Sequence, residues 1–317
     1  MRIWYAAGTA RYDYRVRGWP FVVVLTACGL PDESQVEQGL QKCPNGVVEG
    51  VDVYSGTGTI DWMKVQGANR QFAFIKATQG DYNKQSTFVA QWTNAKAAGV
   101  LRSPYHFFDG TIDGVVQANA FLAEITAAGG LQPGDLPAML DIECPTSSTK
   151  SNAQANCEYA GDSGWVPTAT LVQRIFDWLD TVTAATGRPP IIYSYPSWFA
   201  AVGVTDAKLT NYPLFIASYN SCATIPAPWT DAVFWQYSAT GTVAGISGQV
   251  DMDRYFGTAA DLSGFTIQPP ASDAGVTPDA DGGTADPAGC GCHGGISPGF
   301  LGVGAFVLLL LLRRRSR

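Results

Sequence analysis

The sequence predicts an α/β barrel of eight strands, regular in its first five units and irregular at its end. Three observations predict it. Between two polar stretches, 29–46 and 266–289, lies one continuous globular segment of about 47–265, a normal size for a single barrel. Eight short apolar runs are spread evenly along that segment. Helical stripes fill the early gaps, and strand alternating with helix implies parallel strands.

The strand candidates, in order, are Val47–Tyr54, Phe72–Thr78, Leu101–Phe108, Pro137–Glu143, Pro190–Tyr195, Leu214–Tyr219, Ala232–Tyr237 and Gln249–Tyr255. Between the second and third, Phe88, Trp92 and Ala95 make a helical stripe ended by Gly99. Between the fourth and fifth, Val172, Ile175, Phe176, Leu179 and Val182 make another. Pro167 stands near its start and Gly187 after its end. The gaps after the sixth strand are short and Gly-rich, too short for full helices.

The hydrophobic content of 46% supports a sizeable core, and nine Trp and thirteen Tyr suggest aromatic surfaces as well. The net charge of −7 understates the acidity of the middle. Arg2, Arg11, Arg15 and Arg17 crowd one end, and Arg313, Arg314, Arg315 and Arg317 the other. An acidic centre argues against binding nucleic-acid phosphates. Only two histidines occur, His106 and His293, so a multi-histidine metal site is excluded. His106 sits in the aromatic run Tyr105-His106-Phe107-Phe108, where a packed or hydrogen-bonded role is expected. Catalysis must then rest on carboxylates, and no cofactor is expected.

Both ends carry targeting patterns. Arg15 and Arg17 precede the apolar Trp19–Leu25, as in a signal peptide. Leu25-Thr26-Ala27-Cys28 resembles a lipobox, which makes Cys28 a lipidation candidate, against ordinary cleavage near Ala27. Residues 1–28 are read as this leader. At the far end, Ile296–Leu312 is almost wholly apolar and is followed by three arginines. It is marginally short against the roughly 20 residues usual for a span. With Cys290 and Cys292 ahead of it, the segment 290–317 resembles the MYXO-CTERM sorting tail of exported proteins. The chain is expected to be exported, to the cell envelope, its outer surface or the medium, with membrane contact through its termini.

Seven cysteines fit an oxidising compartment. Setting aside Cys28, Cys290 and Cys292 leaves Cys43, Cys144, Cys157 and Cys222, which allow three pairings. Cys144 and Cys157 bracket the polar insertion 145–156 and favour local closure. Cys43 with Cys222 follows by elimination.

The chemistry lies in Leu140-Asp141-Ile142-Glu143. Residues two apart on a strand share a face, so Asp141 and Glu143 point the same way at a strand's C-terminal end. Neighbouring acids raise each other's cost of ionisation, which can hold one protonated. A protonated acid beside an ionised one is what glycoside hydrolysis needs. Alone, such a pair is most often two surface acids. Here Asp52 lies late in the first strand and Asp251 on the last. A parallel barrel opens all strand C-termini onto one face, so four acids converge there. Tyr193, Tyr195, Trp235 and Gln236 end other strands on that face. Aromatics beside carboxylates suit a carbohydrate cleft.

These residues carry a family resemblance. Gly50-Val51-Asp52-Val53-Tyr54, Phe74-Ile75-Lys76-Ala77-Thr78, Pro104-Tyr105-His106-Phe107, Leu140-Asp141-Ile142-Glu143, Ile192-Tyr193-Ser194, Phe234-Trp235-Gln236-Tyr237 and Gln249-Val250-Asp251-Met252-Asp253 resemble, in order, glycoside hydrolase family 25, the Chalaropsis-type lysozymes. The resemblance implies an irregular TIM-like barrel with eight strands and about five helices. It implies cleavage of the β-1,4 bond between N-acetylmuramic acid and N-acetylglucosamine in peptidoglycan. By position, Glu143 matches the general acid, Asp141 the carboxylate beside it, and Asp52 and Asp251 the other acids of the cleft. Tyr54, Tyr105, Tyr195, Trp235 and Gln236 become candidate sugar contacts. A carboxylate, Asp141 or Asp251, or the substrate's own acetamido group would meet the anomeric centre.

Two positions depart from the family pattern. The family usually reads K-A-T-E-G, and this chain has Lys76-Ala77-Thr78-Gln79-Gly80. Asp253 stands where the family often has Asn. The expected protein is a monomeric muramidase; the alternative is a peptidoglycan-binding surface domain with a weak or inactive site.

Overall fold

The computed structural model describes residues 40–44, 46–143 and 166–268, with the backbone alone at 5–6, 9–16, 19–24, 160–161 and 164–165. The chain divides into two units, Met1–Pro270 and Ala271–Arg317, and the second lies outside the described residues. So do Cys28, Cys144, Cys157 and the apolar segment 296–312. Among the described residues no helix is long and apolar enough to cross a membrane.

Eight strands close into a barrel. They are β1 (Val47–Val53), β2 (Phe72–Gln79), β3 (Leu101–Phe107), β4 (Met139–Asp141), β5 (Ile191–Ser194), β6 (Leu214–Ala217), β7 (Phe234–Gly241) and β8 (Val250–Phe256). Each pairs with the next, and β8 returns to β1. Six α-helices accompany them: α1 (Trp62–Gly67), α2 (Phe88–Ala97), α3 (Gly114–Ala127), α4 (Thr168–Thr186), α5 (Pro196–Val202) and α6 (Ala259–Phe265). All eight expected strands are present, and α2 and α4 fall on the two expected stripes. Gly187 caps α4 in the left-handed conformation, where glycine meets no side-chain penalty.

One expectation is corrected. Strands β1 to β7 are parallel to their neighbours, but β8 runs antiparallel to both β7 and β1. The connection from Gly241 to Val250 is too short for the crossover that parallel strands need, so the chain turns straight back. The N-terminal end of β8 thus lies at the same mouth as the C-terminal ends of the other strands.

Period-two alternation sorts the side chains. Outward residues such as Val51, Ile75, Leu140, Ile192 and Trp235 pack beneath the helices. Inward residues form a second core of Val48, Phe72, Phe74, Met139, Ile191, Phe215, Phe234 and Tyr255. Its centre is an aromatic plug: Phe74 lies 4.8 Å from Phe215 and 5.1 Å from Phe234, ring centre to ring centre. Gly50 is required beside the plug, because a Cβ there would fall 2.3 Å from the Phe72 ring.

The folded region is wider than 47–265. Strand Leu40–Lys42 pairs antiparallel with Ala223–Ile225, within the stretch read as a linker. The Cys43–Cys222 disulfide closes this ribbon. Beyond α6, Ile267 N–H donates to Asp135 O at 2.7 Å.

Candidate active site

Above the aromatic plug the inward register changes from apolar to polar. Asp52 follows Val48 and Gly50 on β1, and Lys76 follows Phe72 and Phe74 on β2. Asp141 follows Met139 on β4, Gln236 follows Phe234 on β7, and Asp251 and Asp253 begin β8. These side chains, Asp253 excepted, floor a cleft of about 790 Å³. Glu143, Tyr54, Tyr105, Tyr193, Tyr195 and Tyr219 line it as well. All four predicted acids are brought together.

The β4 strand stops at Asp141, two residues earlier than expected, and Glu143 lies just beyond it. The backbone carrying both acids is still held. Ile142 N–H donates to Tyr193 O at 2.9 Å, and Ser194 Oγ donates to Ile142 O at 2.7 Å. Phe108 N–H donates to Asp141 O at 2.8 Å. Glu143 therefore projects from a pinned strand end, partly exposed, while Asp141 is buried.

The acids form two carboxyl–carboxylate pairs. Asp141 and Glu143 share a hydrogen bond, and so do Asp52 and Asp251, which face each other across the β1–β8 register. Burial pushes Asp141 well above the usual carboxylate range, with Glu143 adding to it. Burial raises Glu143 too, which the bond from Asp141 opposes. Asp52 is raised well above its usual value by burial and then by Asp251; Asp251 is raised by burial. In each pair burial favours the protonated form, and the two members titrate as a unit.

Gln236 organises the far wall. Its Nε2 donates to Asp52 Oδ2 at 2.7 Å. Its Oε1 accepts from Tyr193 Oη at 2.9 Å and Tyr219 Oη at 2.6 Å. Tyr54 stands at the rim, 53% exposed, and Tyr105 sits deep beside the acids. One predicted sugar contact is corrected. Trp235 is 1% exposed and points outward, because its neighbour Gln236 points in. Its indole N–H donates to Ser218 O at 2.7 Å, and its ring stacks on Phe256.

Asp253 lies one inward step below Asp251, paired in register with Gly50 and Gln236. It is 0% exposed, and neither carboxyl oxygen has a hydrogen-bond partner among the described residues. Burial, then Asp52 and Asp251, raise it well above the usual range. His106 is packed, as expected: it faces outward, hydrogen-bonded to Thr78 at 2.7 Å and Gln117 at 3.0 Å, and stacked on Trp178. Sequence reasoning placed Tyr193 on this face but missed Lys76 and Tyr219 as lining residues. The alternation that placed Asp52 inward also places Lys76 and Tyr193 inward.

An α/β barrel whose mouth holds two hydrogen-bonded carboxyl pairs between tyrosines defines a carboxylate-dependent glycosidase-like class. The chain belongs to glycosyl hydrolases family 25, whose model matches residues 51–246. It is 34% identical over 243 residues to Lysozyme M1 of Streptomyces globisporus, covering 72% of this chain and 78% of that protein. It is 31% identical over 219 residues to the N,O-diacetylmuramidase of Chalaropsis sp., covering 64% and 96%. Among solved structures, the bacterial lysozyme from Streptomyces coelicolor superposes with a TM-score of 0.61 at 34% identity, covering 70% of this chain and 97% of that one.

Proposed function

We propose that this chain is a peptidoglycan muramidase that hydrolyses the β-1,4 bond between N-acetylmuramic acid and N-acetylglucosamine. The observation that carries the reading is the Asp141–Glu143 pair at the mouth of a family 25 barrel. Both members line the cleft, and Glu143 is the more exposed, so it delivers a proton to the glycosidic oxygen. Asp141, buried behind it, feeds that proton and is left as the balancing carboxylate. Positive charge then develops at the anomeric carbon. Asp141 or Asp251, or the substrate's own acetamido oxygen, meets that charge. Gln236 holds Asp52 so that the Asp52–Asp251 pair keeps one negative charge on the opposite wall. Tyr54, Tyr105, Tyr195 and Tyr219 supply ring faces and hydroxyls for the sugars.

The ends of the chain extend the proposal to location. A leader ending near Cys28 and the tail 290–317 make this an exported, envelope-directed enzyme. The apolar run followed by Arg313–Arg315 supports sorting or anchoring. Fractionating cells that express Cys28→Ser, a deletion of 290–317, and both together tests this. The double variant is expected in the medium; retention in the membrane fraction contradicts both assignments.

The test of activity is turbidity loss of purified cell walls by the full-length protein and by Glu143→Gln. Lysis by the wild type and none by the variant is expected. Wall binding without lysis by the wild type would favour a binding domain instead.

A further inference from the structure

Lys76 is the one cation among the described residues lining the cleft. It occupies the inward register of β2 directly above Phe74, in register with Tyr105 of β3. Its Nζ lies 4.3 Å from the centre of the Phe107 ring. It donates a hydrogen bond to Gln79 Oε1 at 3.1 Å. Gln79 is in turn anchored, its amide donating to Tyr82 Oη at 3.3 Å, and Tyr82 Oη donating to Asp109 Oδ2 at 3.2 Å. The acceptor on Lys76 is therefore a neutral amide, held in place from behind.

We propose that Lys76 is the counter-ion that sets the proton affinity of the Asp141–Glu143 pair, and that the neutral Gln79 leaves its charge undivided for that task. Lys76 acts through the pair and is a positioning residue. The inference rests on the muramidase reading for its functional consequence, but not for its physical content.

The groups around the ammonium are these. Asp52 on β1, Tyr105 and Phe107 on β3, and Asp141 and Glu143 at the end of β4 line the same cleft, and Gln79 lies on its own strand. Asp251 lies across the cleft. Two adjacent buried carboxyls, left alone, would hold a proton well above the usual carboxylate range. A nearby ammonium favours the ionised form of both members and draws their titrations down together. Burial lowers the proton affinity of Lys76 below the usual lysine value, and Asp141, Glu143 and Asp52 work against that by favouring the ammonium. A glutamate at position 79 would sit on Lys76 as an ion pair and divide that charge. Removing the lysine charge and adding an acid at 79 should therefore act in the same direction.

The experiment follows the side-chain carboxyl titrations by carbon NMR, and the pH profile of wall lysis. The proteins are the full-length wild type, Lys76→Gln, Lys76→Arg, Gln79→Glu and Glu143→Gln, each checked for folding by thermal melting. In Lys76→Gln the titrations of the pair, and both limbs of the profile, should move up by about one pH unit. Gln79→Glu should move them the same way by less. Lys76→Arg, which keeps the charge, should leave them in place. A folded Lys76→Gln with unmoved titrations overturns the proposal, as does Lys76→Arg shifting as far as Lys76→Gln. If Lys76→Gln does not fold, Gln79→Glu decides, and an unmoved titration there overturns it. A wild type that fails to lyse walls, or an active Glu143→Gln, overturns the muramidase reading alone; the NMR titrations still decide the role of Lys76.

Discussion

Two sets of buried polar side chains sit back to back on the same barrel wall. On the outer side, under the helices, the buried arginine and histidine are both held by partners. Arg102 forms a two-pronged pair with Asp135 at 2.7 and 3.1 Å and stacks on Trp92, while His106 is held by Thr78 and Gln117. On the inner side, a step away, the acids face each other. Asp253 has no partner among the described residues, and Asp141 leaves Oδ1 unpaired. Buried polar groups that serve the fold are paired. Buried acids that face one another across a cleft, with proton affinities raised together, mark a site of chemistry. The outer set stabilises the barrel, and the inner set gives up stability for carboxyls that hold their protons above the usual carboxylate range.

That contrast can be broken by substitution, beginning where the effect should be greatest. Glu143→Gln should cut wall lysis by about 10²–10⁴, the usual contribution of general acid catalysis. It should not lower the melting temperature, since the change removes a crowded acid. A variant within a few-fold of wild type in a turbidity assay would sink the assignment.

The mirror experiment is on the outer side. Arg102→Met leaves Asp135 buried without its partner and should cost about 3–5 kcal/mol of stability. Denaturant unfolding measures it. Activity per folded molecule should be unchanged, and a selective loss of activity would erase the distinction between the two sets.

The ribbon closed by Cys43–Cys222 belongs to the structural set. Replacing both cysteines with serine should cost about 2–5 kcal/mol, measured in the same way under non-reducing conditions.

Asp253→Asn is the subtlest test. The raised proton affinity of Asp253 means the folded state binds a proton that the unfolded chain gives up above about pH 4. Its contribution is complete below that point and is lost as pH rises. Asn removes the loss, so the variant should gain melting temperature at pH 7 and little at pH 4. His106 has the opposite sign: its folded-state value, lowered to about 4, costs stability as pH falls below about 6.5. The variant keeps that term and those of the four raised cleft acids but loses that of Asp253, so on going from pH 7 to pH 4 its stability should change less favourably than that of wild type. Equal gains at both pH values would show that Asp253 is ionised in the fold.

Much of this was legible in the sequence because a barrel strand writes its own inside and outside. All eight strands, and the convergence of Asp52, Asp141, Glu143 and Asp251, could be read from apolar runs and period two. The reason given for Asp251 was wrong, however. It opens its strand instead of closing it, and it reaches the mouth because β8 runs backwards. The short connection before Gln249 held that information, since length alone forbids a crossover there. Trp235 was placed in the cleft by its position at a strand end and by the family resemblance, when the inward Gln236 beside it already forced it out. Tyr219 was not legible, because its position depends on the irregular connection after β6 and on a hydrogen bond to Gln236. The Leu40–Lys42 ribbon was hidden because its partner lies far along the chain and only the cysteines hinted at it.

The most direct test of the central claim is the chemistry of the new chain ends. Purified peptidoglycan is digested with the full-length protein, reduced with borohydride and analysed by mass spectrometry, with Glu143→Gln in parallel. The account predicts that wild type releases fragments ending in reduced N-acetylmuramic acid and that the variant releases none. Fragments ending in reduced N-acetylglucosamine, or equal release by both proteins, would contradict it.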